Sequence, residues 1–425
     1  MVRLEEYKTQ TENKVIERTF LPNKVYIPLI QHLGKICNPQ VKIGDIVLVG
    51  QKIAGVGAPI SSPIHASISG KVTSIQDWPH PVLGRCKAIV IEGDGADIFY
   101  PVNHKSPSEI ENLTPEQIRN LVFEAGIVGM GGAGFPTHVK LNPPKPVDTL
   151  IINGAECEPY LTSDYRLMVE KTKEILQGVE LIVRCLGVKQ VYIAIEDNKP
   201  EAIKAFNYEL RITNYELRIL KSMYPQGGEK QLIKNILRKE VPSGKLPFDI
   251  GIVVHNVATT FAIYEAVFKN KPLYERVVTV AGSCLSNPKN LLVRIGTPIK
   301  ELIVSCGPLK EEPAKIIIGG PMMGIAQYTL EVPVIKSTTG IILFNKEEVA
   351  SQEEKFCIRC GACVRECPVG LEPCLINLAS EKEAWLQTQN YGVLDCIECG
   401  LCSYVCPANR NLVQSIKRAK LEVVK

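Results

Sequence analysis

The sequence lacks any run of apolar residues approaching the ~18 that a membrane-spanning helix needs, so no segment reads as a span. It also lacks a charge excess. The 49 Lys and Arg stand against 45 Asp and Glu, and a formal net charge of +4 over 425 residues does not mark a nucleic-acid-binding surface. The opening residues, MVRLEEYKTQTENK, are polar and show no secretory leader, so a reducing compartment without disulfides is expected. The chain is therefore read as soluble by itself. Membrane contact is expected through partner subunits, or weakly through the basic tail at 416–425, which is read as a solvated helix end. The 45% hydrophobic and 22% charged fractions are ordinary for globular proteins, and the length calls for about three or four units.

Cysteine is abundant, 15 in all, and eight form two near-copies of one pattern. Cys357, Cys360, Cys363, Cys367, Pro368 and Cys396, Cys399, Cys402, Cys406, Pro407 both read C-x2-C-x2-C-x3-C-P, the spacing that holds paired iron–sulfur clusters in bacterial-type ferredoxin domains. Three thiolates spaced by three residues can surround one cluster, while the next turn and the proline carry the fourth away to the other cluster. The expected ligand sets are therefore Cys357, Cys360, Cys363 and Cys406 for one 4Fe-4S cluster, and Cys396, Cys399, Cys402 and Cys367 for the second. A pair of zinc sites is the alternative, but zinc usually takes two well-separated cysteine pairs rather than three cysteines in series. Cys37, Cys86, Cys157, Cys185, Cys284, Cys306 and Cys374 lie outside the motifs and are read mostly as small core residues; Cys374, near a cluster but without a spacing partner, is left out of the ligand set.

Along the chain, residues 25–100 combine β-branched residues with Gly and Pro turns, predicting short strands in a compact sandwich. The stretch VKIGDIVLVGQKIA resembles the lipoyl/biotinyl-carrier hairpin family. Where that family's modified lysine would stand the chain reads GVGAPISSP, so a rigid platform is expected, with Lys52 an ordinary surface residue. From 115 to 260 apolar strand runs (DTLIIN, VYIAIED) alternate with helical periodicity, including one stretch at 168–183 with Leu176, Val179 and Val183 on a face. Strand, helix, strand predicts a parallel sheet with ligands at the strand C-termini. The tandem repeat NYELRITNYELRI at 207–219 is read as a surface insertion lengthening a helix. VVTVAGS, LLVRIGTPIKELI and KIIIGGPMMG predict a small β-grasp insert of the soluble-ligand-binding type, read as a spacer, and LINLASEKEAWLQTQN makes the cluster unit helical.

Residues 126–140 read GIVGMGGAGFPTHVK, with five glycines in the first nine positions. Such a loop lets backbone amides approach a phosphate or a flat ring, although it is not the strict dinucleotide fingerprint. Three further clusters join it: Asn153-Gly-Ala-Glu156-Cys-Glu158-Pro directly after a strand, Tyr224-Pro-Gln-Gly227-Gly228-Glu229, and His255-Asn256-Val-Ala-Thr259 closing a second strand. In this order they resemble the flavin-bearing subunit of respiratory complex I and its relatives, where a GxGGAGFPT loop, an N-x-x-E-x-E-P turn, a Y-x-x-G-x-E turn and an N-x-x-T strand end surround FMN. Position by position, the resemblance implies that Gly129, Gly131, Gly132, Lys140, Asn153, Glu156, Tyr224, Gly227, Gly228, Asn256 and Thr259 line the FMN site. It implies also that Phe135, Lys140, Glu158 and Glu229 face NAD(H). Met130 replaces the arginine usual in the loop, and Ala155 an aspartate of the acidic turn. A flavin takes two electrons as a hydride and releases them singly, which suits clusters; positioning residues are named and no catalytic acid or base.

The order of parts resembles the C subunit of the Rnf electron-transport complex over nearly the whole chain. The fold class implied is multidomain α/β plus β: a lipoyl-like barrel sandwich at 20–105, an α/β FMN/NADH-binding domain at 115–275, a β-grasp domain at 276–346 and a two-cluster helical ferredoxin-like domain at 347–425. The function implied is an NAD(H)-dependent oxidoreductase subunit of a membrane-bound, ion-translocating complex. It would pass electrons between FMN and two 4Fe-4S clusters, with NADH, ferredoxin and the other subunits of the complex as partners, no nucleic acid, and a peripheral place on the cytoplasmic face of the cell membrane. The alternatives are a soluble NADH-dependent flavo-iron–sulfur reductase serving a cobalamin or a hydrogenase, and an electron relay that has lost FMN.

Overall fold

The computed structural model describes residues 1–349 and 353–424, so 350–352 and 425 of the expected C-terminal unit, the last also the end of the basic tail, lie outside the described residues. The α/β module is built on four parallel strands in the order Glu216–Leu220, Gln190–Glu196, Thr149–Gly154, Ile252–Asn256. Alternate side chains serve opposite faces, as strand geometry requires. Leu150, Ile152, Ile193 and Val253 pack under Thr172–Leu186 and Val257–Phe268, while Ile151, Ala194 and Val254 meet Leu232 and Ile233 of Glu229–Leu237. With both faces covered, the polar groups converge at the C-terminal edge, where Asn153 and Asn256 stand side by side in register.

The helical stretch expected at 168–183 is two helices, Ser163–Glu170 and Thr172–Leu186, separated at Lys171, whose φ of −133° departs from helical values. The heptapeptide repeat is not one lengthened helix. Its first copy ends the helix Pro200–Glu209 in a 3-10 turn, Leu210–Ile212, while its second becomes the edge strand Glu216–Leu220. The same letters take two structures because Tyr215 and Leu217 of the second copy pack on the sheet's core beside the strand Gln190–Glu196.

The N-terminal unit packs a four-stranded sheet (Lys24–Pro28, Gly84–Gly93, Gly70–His80, Ile46–Val47) against a three-stranded one (Asn38–Pro39, Lys52–Gly55, Ile64–His65). Its core of Val25, Ile27, Ile53, Ile64, Ile68, Ile89 and Ile91 is fully buried, each large side chain contributing ~1.5–3 kcal/mol. Not all strands are short: Gly70–His80 and Gly84–Gly93 form a hairpin that outgrows the sandwich. Trp78 stacks on Tyr26 and donates its Nε1 to the Glu331 carbonyl at 2.9 Å, fastening the hairpin to the β-grasp unit. Lys52 pairs with Glu124 of the α/β module at 3.0 Å.

The β-grasp unit is a six-stranded sheet in the order Ile16–Arg18, Lys289–Arg294, Glu275–Ala281, Gly340–Phe344, Lys315–Ile318, Ile325–Ala326, with the helix Ile299–Ser305 across it. Its outermost strand comes from the chain's N-terminal arm, which precedes the sandwich. The C-terminal unit is helical, as expected. The helix Leu412–Val424 is more than a solvated end: Val413, Ile416 and Ala419 are buried with Ile376 and the cysteines Cys363 and Cys402. Among the described residues no helix is long and apolar enough to cross a membrane.

Candidate functional site

The glycine loop crosses the C-terminal edge of the parallel sheet. Gly129 donates its N–H to the Phe135 carbonyl at 2.8 Å, and Gly134 donates back to the Gly129 carbonyl at 3.2 Å, closing a tight turn. Thr259 fixes the turn to the helix Val257–Phe268 by accepting the Met130 N–H at 2.9 Å. Asn256 caps that helix with Oδ1, and its Nδ2 donates to Asp164 at 2.6 Å. Gly131, Gly132 and Ala133 are exposed at the turn's tip, with no protein hydrogen-bond partner among the described residues. Gly132 has a φ of +130° and open space where a Cβ would stand. An accessible run of free amides is a donor set that fits a phosphate or a flavin edge.

The acidic turn faces this loop from the next strand. Asn153 Nδ2 donates to the Gly227 carbonyl at 2.9 Å, and the Gly227 N–H donates to Cys157 Sγ at 3.3 Å, joining it to the Tyr224–Glu229 turn. Glu156 is buried and accepts from Ser163 Oγ, Asp164 N and Tyr165 N at 3.1, 2.9 and 3.2 Å, so its charge holds the start of the helix Ser163–Glu170. Lys140 Nζ reaches Glu229 Oε1 at 2.6 Å, and both side chains are partly open to solvent. Phe135, in the same stretch of chain as Lys140, is half-buried.

Glu158 and Tyr224 reach across to neighbouring units. Glu158 accepts from the Met322 and Met323 amides of the β-grasp unit at 3.0 and 2.8 Å, and burial pushes its carboxyl up to about 7. Tyr224, 1% exposed, donates its hydroxyl to the Cys399 carbonyl at 2.7 Å. Ile397 comes within 3.7 Å of where a Cβ on Gly228 would stand. The turn 224–229 thus touches both the flavin-type pocket and the second cysteine motif.

The two cysteine motifs are interleaved. Cys367 lies within electrostatic reach of Cys396, Cys399 and Cys402, whereas Cys406 lies within reach of Cys363. Cys399 and Cys402 are buried, and burial pushes their thiols up to about 11 and about 12; Cys357 and Cys360 are exposed. The reach of Cys367 to one motif and of Cys406 to the other suits clusters, whose binding removes the thiol protons. Cys374, without a spacing partner, lies within electrostatic reach of Cys363 because the helix Pro373–Glu381 brings it there.

Several residues of the site carry no sequence signal. Lys8, 4% exposed, donates to the carbonyls of Glu156, Glu158 and Leu161 at 2.8, 2.9 and 2.5 Å. Lys199, fully buried, pairs with Glu196 at 2.6 Å under the same turn. Arg276 and Lys336 of the β-grasp unit reach the glycine loop from behind. A lone lysine or arginine in sequence looks like any solvated charge, and nothing but the fold marks these four.

Four family models match the chain: the RnfC barrel sandwich hybrid domain over 2–96, the Nuo51 FMN-binding domain over 122–265, the SLBB domain over 277–326 and a 4Fe-4S dicluster domain over 350–407. The C subunit of the proton-translocating ferredoxin:NAD(+) oxidoreductase complex of Clostridium ljungdahlii is 47% identical over 99% of this chain and 93% of its own. The C subunit of the Na(+)-translocating counterpart of Acetobacterium woodii is 44% identical over 95% and 91%. The C subunit of the ion-translocating oxidoreductase complex of Rhodobacter capsulatus is 45% identical over 98% and 81%. A chain of the NAD+-reducing [NiFe]-hydrogenase in its air-oxidized state shares the fold at a TM-score of 0.51 and 16% identity, over 75% of this chain and 69% of that one. Identity of this order over nearly the full length, with all four modules in sequence, places the chain in the RnfC family, the C subunits of ion-translocating oxidoreductase complexes.

Proposed function

We propose that this chain exchanges electrons between NAD(H) and iron–sulfur partners within a membrane-bound, ion-translocating ferredoxin:NAD oxidoreductase complex, held by partner subunits at the cytoplasmic face of the membrane. The observation that carries the reading is the Tyr224 hydroxyl on the Cys399 carbonyl at 2.7 Å, a direct contact between the flavin-type pocket and a cysteine set. FMN, when bound, takes a hydride's two electrons and passes them on one at a time, and the 4Fe-4S clusters carry single electrons.

In this reading Gly129, Gly131 and Gly132 present backbone to FMN, with Asn153, Gly227 and Gly228 on the opposite wall. Glu156, Asn256 and Thr259 act through the backbone they hold, since their polar atoms are occupied within the protein. Lys140 and Glu229, with Phe135, face the nicotinamide nucleotide, their mutual ion pair being available for exchange with its polar groups. The set Cys367, Cys396, Cys399 and Cys402 lies on the flavin side. The set Cys357, Cys360, Cys363 and Cys406, with Cys357 and Cys360 exposed, faces the next electron carrier. The boundaries 20–105, 115–275, 276–346 and 347–425 belong to the same reading.

Anaerobic purification of the full chain followed by iron and flavin assay tests it: about eight irons and one FMN are expected, with NADH-dependent dye reduction. Four irons, or absent flavin together with absent dye reduction, overturns the reading. Recovery in the soluble fraction with no membrane subunit attached favours a soluble flavo-iron–sulfur reductase instead.

A further inference from the structure

The glycine loop carries no charged side chain between Gly126 and Thr137. Its carbonyls are nevertheless held from behind by buried basic side chains of another unit. Lys336, 1% exposed, donates its Nζ to the Gly126 carbonyl at 2.7 Å and to the Pro63 carbonyl at 2.6 Å, fastening loop, sandwich and β-grasp unit together. Arg276, 2% exposed, donates to the Met130 carbonyl at 3.5 Å and to the carbonyl of Lys336. The sandwich adds a third tie, from the Leu33 N–H to the Gly134 carbonyl at 3.0 Å.

In a trans peptide the C=O of one residue and the N–H of the next point in opposite directions. Drawing the Met130 carbonyl back onto Arg276 therefore turns the Gly131 N–H away from the protein, beside the unpartnered amides of Gly132 and Ala133. Gly126 is adapted to the lysine. A Cβ there would stand 2.8 Å from Lys336 Nζ and 2.4 Å from the Pro63 carbonyl oxygen, at a φ of +69° that side chains disfavour. Arg276 also lies within reach of the Asp164 carboxylate, and burial lowers its guanidinium only to about 10, so it is charged at neutral pH.

We propose that Arg276 and Lys336 are positioning residues of the flavin site, holding the glycine loop so that its amides at 131–133 meet the phosphate of the flavin nucleotide. Arg276 adds the positive charge behind that phosphate. The β-grasp unit is then part of the flavin site rather than a spacer. The inference rests on the reading that this loop holds FMN.

FMN and riboflavin differ by the phosphate alone, so their two affinities separate this role from a general staple between units. The full-length chain, freed of flavin by dialysis with its iron retained, is titrated with each, following quenching of flavin fluorescence. Arg276→Met is expected to weaken FMN roughly ten- to a hundredfold, as loss of a charge-assisted hydrogen bond does, while riboflavin affinity stays within about threefold. Lys336→Met is expected to weaken FMN in the same direction, and Arg276→Lys, which keeps the charge, to retain most of the preference for FMN. Equal weakening of both flavins, up to loss of both, or an Arg276→Met protein indistinguishable from wild type, overturns the proposal. A wild-type chain that takes up neither flavin overturns the FMN reading itself, before any variant is compared.

Discussion

Lys8→Met tests whether the N-terminal arm braces the acidic turn. Methionine keeps the length of the side chain and removes the ammonium, leaving the carbonyls of Glu156, Glu158 and Leu161 without the donor that now stands 2.8, 2.9 and 2.5 Å away. Three charge-assisted bonds amount to about 5–9 kcal/mol gross, at ~1.5–3 kcal/mol each. Burying the ammonium opposes this by several kcal/mol, in line with the lowered Lys8 pKa, whose first cause is burial. A net loss of about 2–4 kcal/mol remains, and it falls on the arm rather than on the whole molecule. Around Lys8 the arm is also held by the reciprocal Val2–Tyr224 backbone bonds, the Tyr160 N–H on the Glu6 carbonyl at 2.8 Å and the stacked rings of Tyr7 and Tyr160, and beyond them by Thr11 and the strand Ile16–Arg18. Native-state hydrogen exchange reads the effect directly. The Tyr160 and Tyr224 amides should exchange roughly thirty- to several-hundredfold faster in Lys8→Met, while amides of the strand Gln190–Glu196 keep wild-type rates. Exchange at Tyr160 and Tyr224 within about threefold of wild type would show that Lys8 does not brace the turn.

Cys367→Ser should remove a ligand from the set containing Cys396, Cys399 and Cys402, lowering iron from about eight to about four per chain, whereas Cys374→Ser should keep about eight; iron analysis of anaerobically purified variants distinguishes the two, and equal losses refute the exclusion of Cys374 from the ligand sets. Stability should also depend on pH through Lys336, whose ammonium burial lowers from 10.5 to about 7. Between those values the unfolded chain binds more protons than the folded one, so this contribution to stability rises with pH. Denaturant titrations from pH 7 to 10 should show the rise in wild type and a flatter profile in Lys336→Met; parallel profiles count against the assignment.

What could be read in advance was what depends on local spacing. The C-x2-C-x2-C-x3-C-P steps fix which thiols can share a cluster within one turn of chain, and the DTLIIN and VYIAIED runs are continuous enough to be buried parallel strands. The pocket walls were legible because glycines and strand-end polar residues sit next to the runs they terminate. The NYELRI repeat was not, because a short amphipathic segment can serve helix or strand and packing chooses between them. Glu156 and Glu158 stood in one motif with neighbouring roles expected, yet one holds a helix start and the other the turn of a different unit, partners 7–9 and 164–165 residues away.

The two cysteine motifs, the parallel sheet and the glycine loop at its edge were written in the sequence, since each follows from residues close along the chain. It took the packed fold to bring an N-terminal lysine onto the acidic turn, a buried arginine and lysine of the β-grasp unit onto the glycine loop, and Tyr224 onto Cys399. Those contacts join residues more than a hundred positions apart. A buried charge is stable only where distant backbone carbonyls converge to solvate it, and that convergence exists only once the four units have packed.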